Sequence, residues 1–162
     1  MQPSPLISFV VPCYNSAQYM RRAIDSILLD GGEPRERIQI ILVNDGSTDE
    51  TERIARQYEE CHPGIVHVVS QPNGGHGAAV MAGVHAANGT YLKVLDSDDR
   101  LDTRALSELL HTVESFPPDN LPDLVLTDYV YDNHALKKNR RIGYRRTVPA
   151  RRTLTLSLIH IS

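Results

Sequence analysis

The residues with the clearest capacity for chemistry lie in the segment Val-Leu-Asp-Ser-Asp-Asp-Arg-Leu, residues 94–101. Asp96 and Asp98 are two positions apart, so in an extended chain their side chains leave the same side, roughly 6 to 7 Å apart. Unpaired carboxylates this close repel each other, and a divalent cation that also binds phosphates commonly offsets that cost. The alternative is a solvated turn in which Asp98 or Asp99 caps the next helix. This segment alone leaves both interpretations open.

The elements that must position these carboxylates follow from the apolar pattern. Short runs rich in β-branched residues predict buried strands, at residues 7–11, 38–43, 65–69, 91–95 and 124–130. Helical spacing predicts amphipathic helices between them, at residues 17–29, around 54–58, at 78–87 and at 103–116. We expect Asn15 or Ser16 to cap the first helix, and Ser47 or Thr48 the second.

This alternation predicts an α/β fold with a parallel sheet covered by helices on both faces. Ligands of such sheets bind at the carboxyl ends of the strands. The polar segments after the first four strands all reach that edge, which brings together Tyr14, Asp45, residues 73–77 and residues 96–99.

Common nucleotide-binding fingerprints are absent. The chain has no Gly-x-Gly-x-x-Gly after its first strand and no Gly-x-x-x-x-Gly-Lys-Ser/Thr motif. The Asn-Gly-Gly-His-Gly stretch at residues 73–77 could approach a phosphate or sugar with its backbone, or it could be a flexible turn. His76 could likewise touch a phosphate or be a solvated loop histidine, and neither choice is decided by the residues.

Composition is that of a soluble globular protein: 162 residues, 41% hydrophobic and 23% charged. The length predicts one domain or a piece of one. No apolar run is long enough to cross a bilayer and the amino terminus lacks a secretory signal, so we expect a cytoplasmic location. Cys13 and Cys61 lack metal-ligand spacing and are predicted to be buried thiols.

Charge is unevenly distributed along the chain. Up to Asp132 there are 20 acidic and 9 basic residues, whereas the remainder has 8 basic and no acidic ones. Such a basic segment could meet phosphates, an anionic membrane face or nucleic acid. We favour a strand pair with a solvated basic face, expect no nucleic-acid partner, and keep peripheral membrane contact open.

Four segments, taken together in order and spacing, resemble the family 2 glycosyltransferases. They are Ile-Ser-Phe-Val-Val-Pro-Cys-Tyr-Asn at 7–15, Val-Asn-Asp-Gly-Ser-Thr-Asp at 43–49, Asn-Gly-Gly-His-Gly-Ala-Ala at 73–79 and Val-Leu-Asp-Ser-Asp-Asp at 94–99. The resemblance covers residues 6–131. It implies the GT-A fold, a Rossmann-like, mostly parallel sheet with helices on both faces, incomplete here at the C-terminus.

The resemblance also implies an activity: inverting, metal-dependent transfer of a sugar from a nucleotide donor, expected to be UDP-linked, to a hydroxyl acceptor. The acceptor would be a saccharide or lipid-linked, with polysaccharide assembly at the inner face of the membrane as the setting. A non-catalytic nucleotide-sugar-binding fragment is the alternative. A third hypothesis, binding of nucleic acid or a membrane surface, rests on the basic segment alone.

The family's roles carry over by position. Pro12 and Tyr14 would border the nucleobase, and Asp45 would hold it. Asp96 would lie toward the ribose and Asp98 would reach Mn²⁺ or Mg²⁺ on the diphosphate, with Asp99 as a supporting partner. Asn73, Gly74, Gly75 and His76 are possible donor contacts. Asn44 departs from the pattern, because many relatives carry a further aspartate there.

Two parts of the family's pattern are missing. The general base is a carboxylate well downstream of the Asp-X-Asp motif, so we expect it beyond residue 162; Asp128 and Asp132 come too early. The Gln-X-X-Arg-Trp motif is absent because the chain has no tryptophan. Residues 156–162, Leu-Ser-Leu-Ile-His-Ile-Ser, look like a translated sequencing adapter, although a genuine edge strand is the alternative. We therefore predict a nucleotide-sugar-binding half at 6–131 and a basic start of the acceptor half at 132–155.

Overall fold

A computed structural model of the protein describes residues 4–28, 37–133 and 138–144. Its elements are β1 Ile7–Cys13, α1 Met20–Ile27, β2 Ile38–Asp45, α2 Thr51–Cys61, β3 Val66–Gln71, α3 His76–Ala86, β4 Tyr91–Val94, α4 Thr103–Glu114, β5 Tyr129–Asn133 and β6 Lys138–Ile142. The chain divides into two compact units between Ser115 and Phe116.

Strands β1 to β4 form a parallel sheet in the order β3-β2-β1-β4. Every residue of the two central strands is buried, which explains their continuous apolar sequence. Cys13 lies opposite Asn44, and Asn44 lies opposite Ser70, so the first three strands end side by side.

Helices cover both faces of this sheet, as predicted. Alternate residues of β1 and β2, among them Phe9 and Ile40, pack with buried side chains of α1, α2 and α4. On the other face Val10 and Ile41 pack against alanines of α3. The two-residue period of a strand thus separates two layers of core.

The predicted fifth strand was wrong in extent and in partner. Residues 124–128 are not in a strand, and Leu124 and Leu126 are exposed. Strand β5 begins at Tyr129 and pairs antiparallel with β6 in a separate two-stranded sheet. Alternation of apolar side chains identifies a strand but not the strand with which it pairs. The pair agrees with the predicted basic strand pair, since Arg140 and Arg141 are exposed.

The predicted helix caps were also wrong. Helix α1 follows Tyr19 and α2 follows Glu50, both without a side-chain cap. Helix α4 is capped by Asp102, whose Oδ1 accepts from Ala105 N at 2.9 Å, and not by Asp98 or Asp99. The polar residues expected to cap α1 and α2 instead make hydrogen bonds between loops.

A buried polar cluster closes the opposite, amino-terminal edge of the sheet. The Ser8 hydroxyl donates to Gln39 Oε1 at 2.6 Å and accepts from Gly89 N at 2.9 Å. Asn88 N donates to the same Gln39 oxygen. These bonds hold the turn that leads into β4, and they satisfy groups that would be costly to bury alone.

The burial of the two cysteines and the absence of a membrane-spanning helix were also predicted from the sequence. Cys13 is buried as predicted, but Cys61 is exposed because it is the last residue of α2, beyond the buried stripe that runs from Thr51 to Ala55. None of the helices in the described ranges is long and apolar enough to cross a membrane.

Close packing of α3 on the sheet generates a prediction about Gly83. An added Cβ there would overlap the Val10 side chain, whereas one at Gly77 in the same helix would meet nothing within 4 Å. Gly83→Ala should lower the free energy of unfolding by about 1 to 2 kcal/mol, because overpacking outweighs the gain in helix propensity. Urea unfolding at pH 7 measures this.

The matched control is Gly77→Ala, which gains only the propensity and should stabilise by up to about 1 kcal/mol. Equal stability of the two variants would contradict the packing we describe between α3 and β1.

Candidate functional site

Four loops meet at the carboxyl edge of the parallel sheet, one after each strand. We call them loop 1 (residues 14–19), loop 2 (46–50), loop 3 (72–75) and loop 4 (95–102). Each contains residues that the sequence analysis singled out, so the predicted convergence at one edge is observed for residues of all four loops.

Loops 1 and 2 are joined by hydrogen bonds through Asn15. Its backbone N donates to Ser47 Oγ at 3.0 Å, and its Oδ1 accepts from Thr48 N at 2.8 Å. Asn15 has φ +49°, a left-handed conformation that Asn tolerates better than most residues. Asp49 adds a further link, accepting from Ala17 N at 3.1 Å. Loop 1 is therefore held to loop 2 before any ligand binds.

Asp45 holds loop 3. Its Oδ1 accepts from the Gln71 side chain at 2.7 Å and from Gly74 N at 2.8 Å, and its Oδ2 accepts from Gly75 N at 2.8 Å. The residue is only 2% exposed. Burial raises the pKa of this carboxyl, but the bonds from Gly74, Gln71 and Gly75 outweigh it, so the pKa is lowered overall.

We call the three hydrogen bonds that Asp45 accepts the Asp45 clamp. Two glycines allow loop 3 to take the conformation that the clamp requires. Gly75 has φ +84°, which an L side chain rarely adopts, and it precedes α3 directly. At Gly46 an added Cβ would lie 2.7 Å from Asn73 N, so only glycine lets loop 2 approach loop 3 this closely. The amides of Gly74 and Gly75 are used on Asp45 and are not directed at the cavity described below.

Loops 1 and 4 are joined by two serine hydroxyls. Ser16 Oγ and Ser97 Oγ are 2.8 Å apart, and both residues are buried. Ser16 N also donates to Thr51 Oγ1 at 2.7 Å, at the start of α2. Sequence reasoning placed Ser16 as a helix cap and gave Ser97 no role. Their only signal was position: Ser16 lies two residues after Tyr14, and Ser97 lies between Asp96 and Asp98.

The loop 4 carboxylates lie on a turn and not on an extended strand. Strand β4 ends at Val94, and Asp99 N donates to the Asp96 carbonyl at 3.0 Å. Asp96, Asp98 and Asp99 are exposed while Ser97 points inward. Burial first, then the charges of Asp98 and Asp96, raise the pKa of Asp99 despite nearby Lys93. The turn thus concentrates negative charge at the surface.

A cavity of about 230 Å³ opens between loop 1, loop 4 and the start of α3. Its lining residues are Pro12, Tyr14, Ser16, Tyr19, His76, Asp96, Ser97 and Asp98. It therefore brings together five predicted site residues. Asp45, Asn73, Gly74, Gly75 and Asp99 do not line it, and Ser16, Tyr19 and Ser97 are additions that the sequence analysis missed.

The walls of the cavity differ in chemistry. Tyr14 and Tyr19 expose 51% and 38% of their surface and give one aromatic side. Asp96 and Asp98 give an anionic side, and His76 Nε2 is 3.8 Å from Asp96 Oδ1, beyond hydrogen-bond distance. An aromatic wall beside carboxylates suits a ligand with a planar ring and polar groups.

The cation that the resemblance implies would need oxygen donors at this edge of the sheet. In the described parts of the chain, no group of three or more His, Cys, Asp or Glu residues is arranged to hold a metal ion. Hard oxygen donors are nevertheless present in Asp96 and Asp98, and Mg²⁺ or Mn²⁺ is commonly bound by one or two carboxylates together with substrate phosphates and water. The residues fit a cation that arrives with a phosphorylated ligand.

Two other groups considered in the sequence analysis are occupied by their own surroundings. Burial and, secondarily, Asp49 raise the pKa of the Cys13 thiol to about 12, so it stays protonated at neutral pH. Asp128 Oδ2 accepts from Arg141 Nη2 at 2.7 Å and Nε at 3.1 Å, and its Oδ1 accepts from Tyr144 N. Asp128 is thus occupied within its own unit.

Comparison with known proteins places this geometry in context. The family model described as Glycosyl transferase family 2 matches residues 8–158. An uncharacterized glycosyltransferase of Rickettsia prowazekii (strain Madrid E) is 44% identical over 96 residues, 59% of this chain and 28% of the relative. The hyaluronan synthase of Pasteurella multocida is 38% identical over 102 residues, 63% of this chain and 10% of the relative. The chain spans less than a third of the length of either relative.

Solved structures show the same fold. S. aureus TarS 1-349, in complex with UDP-GlcNAc, superposes with a TM-score of 0.59 at 27% identity, over 67% of this chain and 31% of that one. A mannosyltransferase of Pyrobaculum calidifontis superposes with a TM-score of 0.57 at 24% identity, over 67% of this chain and 32% of that one. The predicted GT-A arrangement, a parallel sheet with helices on both faces, is confirmed.

The Asp45 clamp generates a prediction about pH. A carboxyl whose pKa is lowered by folding stabilises the protein above its ordinary value of 3.8, and that contribution is lost as the pH falls through the lowered value. Asp45→Asn cannot accept the bond from Gly75 with its amide nitrogen. It should lower the free energy of unfolding by about 1 to 3 kcal/mol at pH 7. The difference from wild type should shrink below about pH 4.

Urea unfolding from pH 7 to pH 3 measures that difference. Glu60→Gln is the control, because it removes an exposed carboxylate that accepts no hydrogen bond among the described residues; it should change little at any pH. A constant Asp45→Asn difference over the whole range would contradict the clamp.

Proposed function

The chain belongs to glycosyl transferase family 2, and from that premise we propose that it binds a nucleotide sugar as part of an inverting, metal-dependent glycosyltransferase. The observation that carries the proposal is the cavity at the sheet edge, where exposed Tyr14 faces the same space as Asp96 and Asp98. Because the chain spans less than a third of the length of these two relatives, the activity of the whole protein is part of the proposal.

The nucleobase is proposed to lie against Pro12 and Tyr14. A planar base stacks well on an exposed tyrosine ring. Asp45 is proposed to accept from the base as well: among the described residues its Oδ2 accepts one hydrogen bond, and a carboxylate oxygen can accept two. The UDP and UDP-GlcNAc complexes of TarS support a uracil nucleotide.

The sugar phosphate end is proposed to lie at loop 4. Asp96 would face the ribose, and Asp98 would hold Mn²⁺ or Mg²⁺ with the diphosphate, with Asp99 beside it. A cation bound there would stabilise the charge that develops on the leaving diphosphate. His76 lines the cavity and is proposed as a further donor contact. Asn73, Gly74 and Gly75 would act mainly by shaping loop 3, since Asp45 binds two of their amides.

The acceptor is proposed to be a hydroxyl of a saccharide or of a lipid-linked molecule. Inverting transfer needs a general base on the face opposite the leaving group. We assign no base among the described residues, because Asp128 is bound by Arg141. The proposed setting is polysaccharide assembly in the cytoplasm, at the inner face of the membrane; the name of the hyaluronan synthase relative supports a polysaccharide product.

A non-catalytic nucleotide-sugar-binding role is the second candidate, because the described residues line a donor cavity but include no group that we assign as the general base. Incubation with a UDP-sugar and candidate acceptors separates the two. Release of UDP that depends on the acceptor supports transfer, whereas donor binding without release supports the second role.

Metal-dependent binding is the direct test of the site. Asp98→Ala should reduce UDP affinity in the presence of Mn²⁺ by about 10- to 100-fold, because it removes the carboxylate proposed to hold the cation. Affinity without Mn²⁺ should change little. Isothermal titration calorimetry with and without Mn²⁺ measures both values.

Glu60→Ala serves as the control for the lost charge, since Glu60 lies in the last turn of α2, away from the carboxyl edge of the sheet. Wild-type protein that binds no nucleoside diphosphate with Mn²⁺, or Asp98→Ala that binds as wild type does, would overturn the proposal.

A further inference from the structure

We propose that Ser97 is a positioning residue whose hydroxyl bond to Ser16 sets the direction of Asp96 and Asp98, so that nucleotide and cation bind together. The inference rests on the proposed function. It assigns to Ser97, which carries no charge, the role of orienting the two carboxylates beside it. It explains why a serine stands between two exposed carboxylates.

The first observation is the alternation within loop 4. Asp96 and Asp98 are exposed, whereas Ser97 is 8% exposed. Among the described residues, neither carboxylate accepts a hydrogen bond, and His76 is 3.8 Å from Asp96. Side-chain contacts therefore do not fix the two acids. The residue between them is the nearest fixed point.

The second observation is that Ser16 is itself rigidly held. It is 1% exposed, and its backbone N donates to Thr51 Oγ1, which is completely buried. Its Oγ accepts from Tyr14 N at 3.1 Å and lies 3.3 Å from the Tyr14 carbonyl oxygen. Ser97 is thus hydrogen-bonded to a residue that is itself fixed to the start of α2.

The number of protons and acceptor positions on the Ser16 hydroxyl indicates which serine donates in the bond between Ser16 and Ser97. Ser16 Oγ has one proton and two acceptor positions. If its proton goes to the Tyr14 carbonyl, it accepts from Tyr14 N and from the Ser97 hydroxyl, and every position is used. Removing the Ser97 hydroxyl would then leave one buried acceptor position of Ser16 unfilled and release the middle of loop 4.

The same bond connects the two ends of the proposed ligand. Ser16 shares its hydroxyl with the backbone of Tyr14, the proposed neighbour of the base, while Ser97 directs Asp98, the proposed cation ligand. Loss of the link should therefore weaken the gain in UDP affinity that Mn²⁺ produces, more than it weakens UDP binding alone.

The test compares the ratio of UDP affinities with and without Mn²⁺ in wild type and Ser97→Ala, by calorimetry. We expect Ser97→Ala to reduce this ratio by about five- to tenfold. Ser16→Ala combined with Ser97→Ala should reduce the ratio no further than Ser16→Ala alone, since the two hydroxyls act through one bond. If Ser97→Ala does not fold, Ser97→Cys gives the same comparison with a weak donor of similar size.

Ser8→Ala is the matched control. It removes a buried hydroxyl with two partners at the other end of the sheet, so it should lower stability at least as much and leave the ratio unchanged. If wild type shows no gain with Mn²⁺, the proposed function itself is overturned. If wild type shows the gain and Ser97→Ala keeps it, or Ser8→Ala loses as much, only the positioning role is overturned.

Discussion

Parallel pairing of β1 with β2 and with β4 is the constraint on which the rest of the site depends. It forces three strands to end at one edge, and β3 joins them through β2. Because each strand is followed by a helix that returns to the opposite edge, every polar loop of functional interest leaves the sheet in the same place. The apolar cores on both faces of β1 supply most of the free energy that holds this arrangement.

Hydrogen bonds from polar groups, of which Asp45 and Ser16 are buried and Asn15 is exposed, then convert four neighbouring loops into one structure. Asn15 joins loop 1 to loop 2, Asp45 joins β2 to loop 3, and Ser16 joins loop 1 to loop 4. The buried bonds of Asp45 and Ser16 contribute modestly when made but cost much when a buried partner is left unpaired. They therefore favour one arrangement of the loops more strongly than their net stabilisation suggests, which is the property a preformed binding site needs.

The sequence predicted the parts of this structure that follow from local pattern. Buried strands, covering helices and the meeting of Tyr14 with Asp96 and Asp98 follow from apolar periodicity and from the rule that parallel strands share an edge. The pairing partner of a strand and the hydrogen-bond partner of a loop residue did not follow from local pattern. Residues 124–130 have a strand-like pattern, yet the strand pairs with β6, Lys138–Ile142, whose mostly polar sequence gives no signal of a buried strand. Asn15 and Ser47 have the chemistry of helix caps, and only the neighbouring loop decides that they bond to each other.

Neutral and charged groups have different positions at the carboxyl edge of the sheet. A buried carboxylate needs donors, and Asp45 has three, which leaves it mainly committed to holding loop 3. Asp96 and Asp98 remain at the surface, where water solvates their charge at low cost until a ligand displaces it. The anchor between them is a neutral hydroxyl, whose burial costs far less than that of a third carboxylate. Among the described residues, the nearest cationic partner of these two carboxylates is His76, 3.8 Å from Asp96, so the proposed cation could bind without first breaking a short ion pair.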